Sequence, residues 1–314
     1  MASKMILVCS LTFYFLLNIS TYLIMNSIND NFYSDFSLFY HFTFISLCCF
    51  SFYLLMKTRK IGPGIIEKNS KGALSLDETI INNNEKKSIS LSNSPLVISK
   101  SELLFNENCD FCNISNLPLR SHHCKKCGIC VNKFDHHCSF INTCIGENNH
   151  LNFIFFLFFQ TITLILALYG LFKTIHLFFE NNKNSGYKDI PSSIFFLIAI
   201  LLFYFVYCFI LFFFHVYLVC TNQTTYEIFH HEKCPYLKIF KKERKKILAE
   251  RAIDVKPTFA YHPFDSGITN NIKLLIQKFS NNNYKICWED IYFENLKTNN
   301  IYRNFCDNEY WSCF

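Results

Sequence analysis

The segment CDFCNISNLPLRSHHCKKCGICVNKFDHHCSFINTC, residues 109–144, holds seven of the chain's 16 cysteines and four of its 11 histidines. Cysteines two residues apart can both reach one metal ion from a tight turn, a spacing that recurs in zinc sites. Two closed four-ligand sites need eight groups, so that two histidines and six cysteines leave one thiol over. A segment this short cannot bury a sufficient apolar core unaided. It therefore predicts two structural metal centres and one cysteine available for chemistry.

The run Asp135-His136-His137-Cys138 places a thiol beside two imidazoles and a carboxylate. Neighbouring side chains of an extended chain point to opposite sides, so one histidine can bind metal while the other faces the thiol. A cysteine with an adjacent base can be held partly as the thiolate. Asp135 can orient that imidazole and stabilise its protonated form. Spacing alone gives only the two-site count and the spare thiol, without assigning ligands.

Long apolar blocks surround this segment. The chain has 314 residues, of which 51% are hydrophobic and 17% charged, whereas about 25% is usual for the charged fraction of soluble proteins. Four blocks of at least 20 residues contain no Asp, Glu, Lys or Arg: Met5–Met25, Phe36–Met56, Phe153–Phe172 and Ile194–Val219. About 20 apolar residues cross a hydrocarbon core of about 30 Å. The sequence thus predicts an α-helical integral membrane protein with four transmembrane helices, and four such blocks exclude buried helices of a soluble core.

Positive charge predicts the orientation in the membrane. Three basic residues follow the second block at Lys57–Lys60 and six follow the fourth at 238–246, whereas 26–35 has none and 180–193 has two. Both termini and the cysteine-rich segment are therefore expected in the cytosol, where disulfides are disfavoured. A basic membrane-facing surface accounts for the net charge of +6 without nucleic acid. Such a multi-pass protein fits an endomembrane (Golgi or ER) or the plasma membrane.

The predicted organisation follows from these segments. Residues 1–56 carry transmembrane helices 1 and 2, 57–107 a cytosolic linker, 108–151 the zinc domain, 152–220 transmembrane helices 3 and 4, and 221–314 a cytosolic C-terminal region. The first block reads as a retained anchor because its apolar run exceeds the roughly 7–15 residues of a cleaved signal. The linker lacks the apolar content to fold alone.

A short amphipathic run lies in the C-terminal region at Asn271–Phe279, with apolar residues at 272, 275, 276 and 279. Apolar residues three and four apart share one helix face. The run can lie on the membrane surface or pack on the zinc domain, and the sequence leaves both open.

The Asp-His-His-Cys run, inside its Cys/His pattern and between the second and third of four spans, resembles the DHHC cysteine-rich domain of protein S-acyltransferases, or palmitoyltransferases. The resemblance covers roughly residues 5–280 and includes four further segments. Gly62-Pro63-Gly64 is similar to the family's Asp-Pro-Gly motif, and Asn142-x-Cys144-x-Gly146-x2-Asn149 to its Asn-x-Cys-x-Gly-x2-Asn motif. Thr224-Thr225-x-Glu227 is similar to its Thr-Thr-x-Glu motif, and Pro263-Phe264-x2-Gly267-x3-Asn271 to its C-terminal Asn-Pro-aromatic motif.

The resemblance implies roles for individual residues. It makes Cys138 the nucleophile that accepts the acyl group, His136 its base and Asp135 the orienting carboxylate. Supporting roles fall to Thr225 beside Asp135, to Glu227 and to Asn271, which braces the tail. Two structural Zn²⁺ ions are implied, one held by Cys109, Cys112, His123 and Cys130, the other by Cys124, Cys127, His137 and Cys144.

The same resemblance implies acyl-CoA (palmitoyl-CoA) as co-substrate. The implied partners are membrane or peripheral proteins with a cysteine to be acylated, together with the lipid bilayer. An accessory subunit is left open. Basic side chains of the cysteine-rich segment could meet CoA phosphates or form a solvated or lipid-facing surface: Arg120, Lys125 and Lys126.

The sequence departs from the family pattern at a few positions. Pro-Trp usually follows the motif cysteine, and the spacing between Cys112 and His123 is one residue longer than in many relatives. Ser139-Phe140 stands in place of that Pro-Trp. Gly62 stands where Asp is common, His262 where Asn is common and Ile276 where an aromatic residue is common. The departures leave Asp135–Cys138 intact.

Two other classes of protein compete with the enzyme reading. A membrane scaffold would use the zinc domain to bind a partner and leave Cys138 idle. A transporter or channel is poorly supported, because the spans lack inverted repeats and charged residues. Labelling by a fatty acyl thioester separates the enzyme from both, since neither rival forms an adduct on Cys138.

Overall fold

The computed structural model describes residues 2–28, 36–67, 108–181, 190–250, 262–281 and 284–297. Most of the predicted linker, parts of the two loops compared for charge and the end of the C-terminal region lie outside these residues.

Helices dominate the described part of the chain. They are α1 (Ala2–Ile28), α2 (Leu38–Ile61), α3 (His150–Asn181), α4 (Ser192–Cys220), α5 (Thr225–Phe229), α6 (Pro235–Glu250), α7 (Ile268–Ser280) and α8 (Trp288–Lys297), with a 3-10 turn at His231–Lys233. Four short strands form two two-stranded sheets, β1 with β2 and β3 with β4: β1 (His122–Cys124), β2 (Ile129–Val131), β3 (His136–Cys138) and β4 (Thr143–Ile145).

Within the described residues, four helices are long and apolar enough to cross a membrane: Val8–Ser27 of α1, and the whole of α2, α3 and α4. Their length follows from composition, since a helix rises about 1.5 Å per residue and satisfies its own backbone hydrogen bonds in lipid. The predicted helical membrane protein with four spans is confirmed.

The chain divides into two compact units. The first consists of Met1–Gly62, Cys138–Thr143 and Asn149–Tyr217, and it contains α1, α2, α3 and nearly all of α4. The second consists of Pro63–His137, Cys144–Asn148 and Leu218–Phe314. It contains most of the cysteine-rich segment and the helices after α4.

Close helix contacts define the membrane unit. Gly170 of α3 leaves room for Tyr40 of α2, because a Cβ at Gly170 would collide with the Tyr40 hydroxyl and would lie 2.6 Å from the sulfur of Met25. The Tyr40 hydroxyl donates to the carbonyl of Leu166 at 3.0 Å. Small residues let membrane helices approach in this way, and hydrogen bonds between helices fix their register.

A polar network joins three of the membrane helices. The Ser51 hydroxyl of α2 donates to Oε1 of Gln160 on α3 at 3.0 Å, and it also contacts the Tyr14 hydroxyl of α1. Tyr14 in turn donates to the carbonyl of Cys48 at 2.8 Å. Because water is absent from the hydrocarbon core, such groups must find partners inside the protein.

An aromatic core organises the C-terminal part of the second unit. Phe264, Trp288 and Tyr292 are fully buried there, with Tyr236 and Phe240 of α6 beside them. The rings of Phe264 and Trp288 meet edge to face at 5.7 Å, a geometry that aromatic pairs prefer. This core fastens α6 and α8 around the segment that follows α4.

Candidate functional site

Cys109, Cys112, His123 and Cys130 form one cluster, in which the four potential ligand atoms all lie within 4.8 Å of one another. The Cys112 Sγ lies 3.3 Å and the Cys130 Sγ 3.8 Å from Nδ1 of His123. The Cys109–Cys112 turn closes through two backbone hydrogen bonds between Cys109 and Ile114, at 2.8 and 3.1 Å. That turn aims both thiols inward.

Cys124, Cys127, His137 and Cys144 form a second cluster of the same composition, again within 4.8 Å. Nδ1 of His137 lies 3.6, 3.3 and 3.8 Å from the sulfurs of Cys124, Cys127 and Cys144. The turn after Cys124 closes when the Gly128 N–H donates to the Cys124 carbonyl at 2.8 Å. Gly128 has φ +68°, which glycine adopts without steric cost.

The β1–β2 hairpin serves both clusters. His123 pairs with Cys130 across the hairpin and both contribute to the first cluster, while Cys124 contributes to the second. Successive side chains of a strand point to opposite faces. The adjacent pair His123-Cys124 can therefore reach two different centres.

These distances fit zinc. With Zn–S of about 2.3 Å and Zn–N of about 2.0–2.1 Å, the ligand atoms of a tetrahedral site are separated by roughly 3.5–3.8 Å. The Nδ1–Sγ separations given above run from 3.3 to 3.8 Å, and all ligand atoms of a cluster lie within 4.8 Å of one another. Three thiolates and one imidazole are a common structural zinc set. Both clusters can hold a metal ion, and the sequence-predicted ligand sets are the ones that the structure brings together.

The carboxylate of Asp135 is 2% exposed and is surrounded by donors. Its Oδ2 lies 2.6 Å from Nδ1 of His136 and accepts a 2.8 Å hydrogen bond from the Thr225 hydroxyl. Its Oδ1 accepts the Thr225 backbone N–H at 2.8 Å. Charge-assisted hydrogen bonds of this length are the strong ones. Because Nδ1 faces the carboxylate, Nε2 is the His136 nitrogen that can take a proton.

Cys138 is the last residue of β3 and is half-buried. Residues two apart along a strand project to the same face, and their neighbour projects to the other. The register of β3 therefore assigns His136 and Cys138 to one face and His137, with its metal cluster, to the opposite face. Next along the chain, the Phe140 ring stacks near that of Phe156 at 6.4 Å.

A capping box places Thr225 at the first turn of α5. The Thr224 hydroxyl accepts the Glu227 N–H at 3.2 Å, and the Glu227 carboxylate accepts the Thr224 N–H at 2.8 Å. This reciprocal pair satisfies two backbone donors that a helix start leaves open. The Thr-Thr-x-Glu sequence thus fixes the backbone that carries Thr225 to Asp135.

Arg120 forms the buried centre of the second unit. Its Nε and Nη2 donate to the two carboxylate oxygens of Glu227 at 2.8 and 2.7 Å, and its Nη1 donates to Asn222 Oδ1 at 3.1 Å. The guanidinium lies over the rings of both Phe264 and Trp288, 4.2 and 4.6 Å from their centroids. Burial alone would raise the pKa of the Glu227 carboxyl, but the Arg120 charge, with His262 beside it, holds that pKa well below its usual range.

The suggestion that Arg120 meets CoA phosphates is therefore wrong, because its side chain is buried and committed to Glu227. Lys125 and Lys126 are exposed. His262, which stands where Asn is usual, is also buried, with Nε2 3.3 Å from Glu227 Oε2.

The other motif residues support the backbone. Asn271 donates to the carbonyl of Cys220, the last residue of α4, at 2.7 Å. A Cβ at Gly146 would lie 2.6 Å from the Pro63 carbonyl oxygen and 2.7 Å from Val131, so glycine is required there. Asn149 donates to the Thr58 carbonyl at 3.2 Å, in the membrane unit.

Two contributors were missed from the sequence. Asn222 accepts from Arg120 and Lys133 and donates to the Phe264 carbonyl at 2.8 Å. In the membrane unit, Arg59 donates to the carbonyls of Ile141 and Asn142 at 2.7 and 3.2 Å. In the sequence, Arg59 counted only among the basic residues that predict the orientation in the membrane. The partners of Asn222 and Arg59 are distant in the chain, so no local pattern indicates them.

Four membrane-length helices and a cysteine-rich domain with two Cys/His clusters define a helical membrane protein able to hold two metal ions. The family model described as DHHC palmitoyltransferase matches residues 104–232. Residues 104–232 are thus a DHHC palmitoyltransferase domain.

Relatives agree with this placement. A ZDHHC-type palmitoyltransferase of Dictyostelium discoideum is 33% identical over 213 residues, 66% of this chain and 44% of the relative. Palmitoyltransferase ZDHHC15 of Xenopus laevis is 35% identical over 38% of this chain and 35% of the relative. A protein named as S-acyltransferase 2 in Arabidopsis thaliana is 33% identical over 59% of this chain and 46% of the relative. The matches thus cover less than half the length of each relative.

Proposed function

We propose that this chain is a protein S-acyltransferase that moves a long-chain acyl group, typically palmitoyl, from acyl-CoA through a thioester on Cys138 to cysteine thiols of membrane-associated proteins. The observation that carries the proposal is the buried Asp135 carboxylate, bound by His136 and twice by Thr225. It directly precedes strand β3, which ends at Cys138. The match of residues 104–232 to the DHHC palmitoyltransferase model supports the same reaction.

In the first half-reaction, Asp135 keeps the proton of neutral His136 on Nδ1 and turns Nε2 toward the reacting thiol. Nε2 takes the Cys138 proton, and the thiolate attacks the carbonyl carbon of the acyl-CoA thioester. The bond from that carbon to the CoA sulfur breaks, and the CoA thiolate leaves with the proton from the imidazolium. The buried carboxylate stabilises the imidazolium between these two transfers.

In the second half-reaction, the thiol of a substrate cysteine gives its proton to the same imidazole nitrogen. The resulting thiolate attacks the Cys138 thioester, and the bond from the acyl carbon to Cys138 Sγ breaks. Cys138 recovers the proton and the acyl group remains on the substrate cysteine. Two sequential displacements through a covalent intermediate predict ping-pong kinetics.

We assign Zn²⁺ to both Cys₃His clusters, each with one histidine ligand through Nδ1. Four ligands close each site, so the metal's contribution is structural, on the order of 10 kcal/mol to folding. His137 connects this scaffold to the reaction, because it follows His136 directly and belongs to the second cluster. Coordination of a metal ion by His137 would fix the position of β3.

The membrane helices suit a lipid donor. Each methylene transferred from water into an apolar environment contributes about 0.8 kcal/mol, so a sixteen-carbon chain gains on the order of 10 kcal/mol among the helices. The charge pattern of the sequence supports cytosolic termini and a cytosolic zinc domain, in an endomembrane (Golgi or ER) or the plasma membrane.

The test is acyl transfer by purified full-length protein in nanodiscs, with palmitoyl-CoA and a cysteine peptide anchored to the same bilayer. Wild type should acylate the peptide in a hydroxylamine-sensitive manner, whereas Cys138→Ser should not. A peptide whose cysteine is replaced by serine controls for non-enzymatic labelling. Equal peptide acylation by wild type and Cys138→Ser would reject the proposal. So would a wild type that binds zinc but transfers nothing, which is the result a scaffold predicts.

A further inference from the structure

Two long side chains sit on a backbone conformation that disfavours them. Six of the described residues other than glycine have a positive φ, and four of these are asparagines, the residue type that adopts this conformation with little strain. The other two are Arg120, with φ +68°, and Lys133, with φ +43°. Such a conformation persists only where the surrounding structure imposes it. The contacts of Arg120 and Lys133 therefore identify the element on which both depend.

Both cations lie over the same ring, that of Trp288 at the start of α8. The centre of the Arg120 guanidinium is 4.6 Å and the Lys133 ammonium 4.7 Å from the ring centroid. Tryptophan is the aromatic residue that attracts cations most strongly, and the attraction grows when the pair is removed from water. Trp288 is 2% exposed. One buried indole thus holds both of the strained residues.

Arg120 and Lys133 both hold the backbone that leads into Asp135. Lys133 lies two residues before Asp135, in the turn between β2 and β3, and its Nζ donates to Asn222 Oδ1 at 3.0 Å. The Arg120 carbonyl accepts the N–H of Phe134, the residue directly before Asp135, at 2.9 Å. The approach to the carboxylate is therefore fixed at two successive residues, and both attachments lead back to the Trp288 ring.

Helix α8 holds the Trp288 ring in place through contacts of its own. Glu289 Oε1 accepts the Leu119 N–H at 3.3 Å, next to Arg120 in the chain. One turn further along α8, the Tyr292 hydroxyl donates to the Tyr236 carbonyl at 3.0 Å. α8 lies beyond residues 104–232, which match the family model, and beyond the roughly 5–280 covered by the sequence resemblance. Neither comparison assigns Trp288 a role.

We propose that Trp288 is a positioning residue for Asp135. Its ring stabilises the left-handed conformations of Arg120 and Lys133, and these conformations set the backbone on which Asp135 meets His136. Without the ring, both residues can relax toward the regions of φ and ψ that bulky side chains prefer. The carboxylate then moves away from the imidazole that it orients. The inference rests on the proposed function, because it gives Trp288 a part in the acylation of Cys138.

The experiment measures single-turnover acylation of Cys138 by palmitoyl-CoA, over a range of concentrations, in full-length protein in nanodiscs. Trp288→Leu removes the ring, and Trp288→Phe keeps a ring that attracts cations less strongly. The maximal rate should fall by at least about tenfold for Trp288→Leu and by about threefold for Trp288→Phe. The half-saturating concentration of palmitoyl-CoA should stay within about twofold of wild type, because a change that acts on the chemical step alone leaves binding unchanged.

The decisive comparison repeats both substitutions in the Asp135→Asn protein. Two changes that act through one group are not additive, whereas independent effects are. With no carboxylate left to position, Trp288→Leu and Trp288→Phe should each stay within about twofold of the Asp135→Asn protein alone. A purely structural role of Trp288 predicts instead the same slowing in both backgrounds.

Equal slowing in the two backgrounds would overturn the proposal, and so would a Trp288→Leu protein as fast as wild type. Metal content checks that each variant keeps its zinc domain. If Trp288→Leu loses zinc, the same comparison is made with Trp288→Phe, and equal slowing in both backgrounds again overturns the proposal. A wild type that forms no acyl-enzyme would reject the proposed function itself. An active wild type with additive effects would reject only the role of Trp288, so the two failures are distinguishable.

Discussion

Thr225 binds the carboxylate of Asp135 twice, through its backbone N–H to Oδ1 and its hydroxyl to Oδ2, each at 2.8 Å. Thr225→Val keeps the shape and the backbone bond but removes the hydroxyl bond. A hydrogen bond to a charged group is worth about 1.5–3 kcal/mol, so acyl-enzyme formation should slow by about 10- to 100-fold. Single-turnover labelling of Cys138 by palmitoyl-CoA measures this rate.

Thr225→Ser is the matched control, since it retains the hydroxyl and should remain within about threefold of wild type. The metal content of both variants should be unchanged, which separates positioning of Asp135 from loss of the zinc domain. A valine variant as fast as the serine variant would show that the hydroxyl bond has no part in the reaction.

The buried Arg120–Glu227 pair predicts strong non-additivity. Arg120→Met or Glu227→Gln alone leaves one partner unmatched among side chains that are 0% and 2% exposed. Such a change should cost about 3–5 kcal/mol in unfolding free energy. Combining the two should destabilise by less than the sum of the single changes. Thermal unfolding of the four proteins in detergent completes this cycle, with Lys125→Met as an exposed control. Additive losses would contradict direct pairing.

Metal content should fall one centre at a time. Purified wild type should contain about two Zn²⁺ per chain, and Cys112→Ser or Cys127→Ser about one, because each replaces a thiolate in a different cluster. Cys138→Ser should retain about two, since Cys138 lies in neither cluster. Elemental analysis by mass spectrometry gives the stoichiometry. A Cys138→Ser protein that contains fewer zinc ions than wild type would contradict the assignment of Cys138 as the nucleophile and not a metal ligand.

Asn271→Ala should loosen the attachment of α7 to α4. It removes the bonds to the Cys220 carbonyl, the Ser266 N–H and the Asp265 carboxylate, at a cost of about 1–3 kcal/mol. The neighbouring Asn270→Ala is the control, because Asn270 is exposed and bonds only locally, to the Ser266 carbonyl. Limited proteolysis of the C-terminal region should be faster for Asn271→Ala alone. Equal cleavage of both variants would argue against an anchoring role for Asn271.

The four membrane helices and the two Cys/His clusters were predictable, because they depend on residue types and spacings that are local in the sequence. The two clusters draw on cysteine pairs held in tight turns, and strand alternation separates His136 from His137. The ends of the membrane helices were harder to predict from the sequence. Lys173 ends the charge-free block, yet α3 continues to Asn181, and the Lys173 ammonium lies over the Phe36 ring. A lysine is a good helix former, so absence of charge marks the hydrocarbon core rather than the helix end.

The position of Arg120 against the rings of Phe264 and Trp288 was not predictable, because it depends on tertiary packing between segments far apart in sequence. In the sequence, Arg120 was grouped with Lys125 and Lys126 either as a contact for CoA phosphates or as part of a solvated or lipid-facing surface. Only the fold shows that Glu227 neutralises the charge of Arg120. The local sequence explains why Glu227 lies three residues after Thr224, because the two form a capping box, but it does not indicate that Arg120 is the partner of Glu227.

The most direct test of the central claim is the mass of the protein after brief exposure to palmitoyl-CoA, compared for wild type, Cys138→Ser and His136→Ala. Wild type should gain one palmitoyl group that maps to Cys138 and is released by neutral hydroxylamine. His136→Ala should acquire it about 10²- to 10⁴-fold more slowly, the usual contribution of a positioned base. Cys138→Ser should not acquire this adduct. An unmodified wild type with its zinc in place, or an equal hydroxylamine-sensitive adduct on Cys138→Ser, would contradict the account.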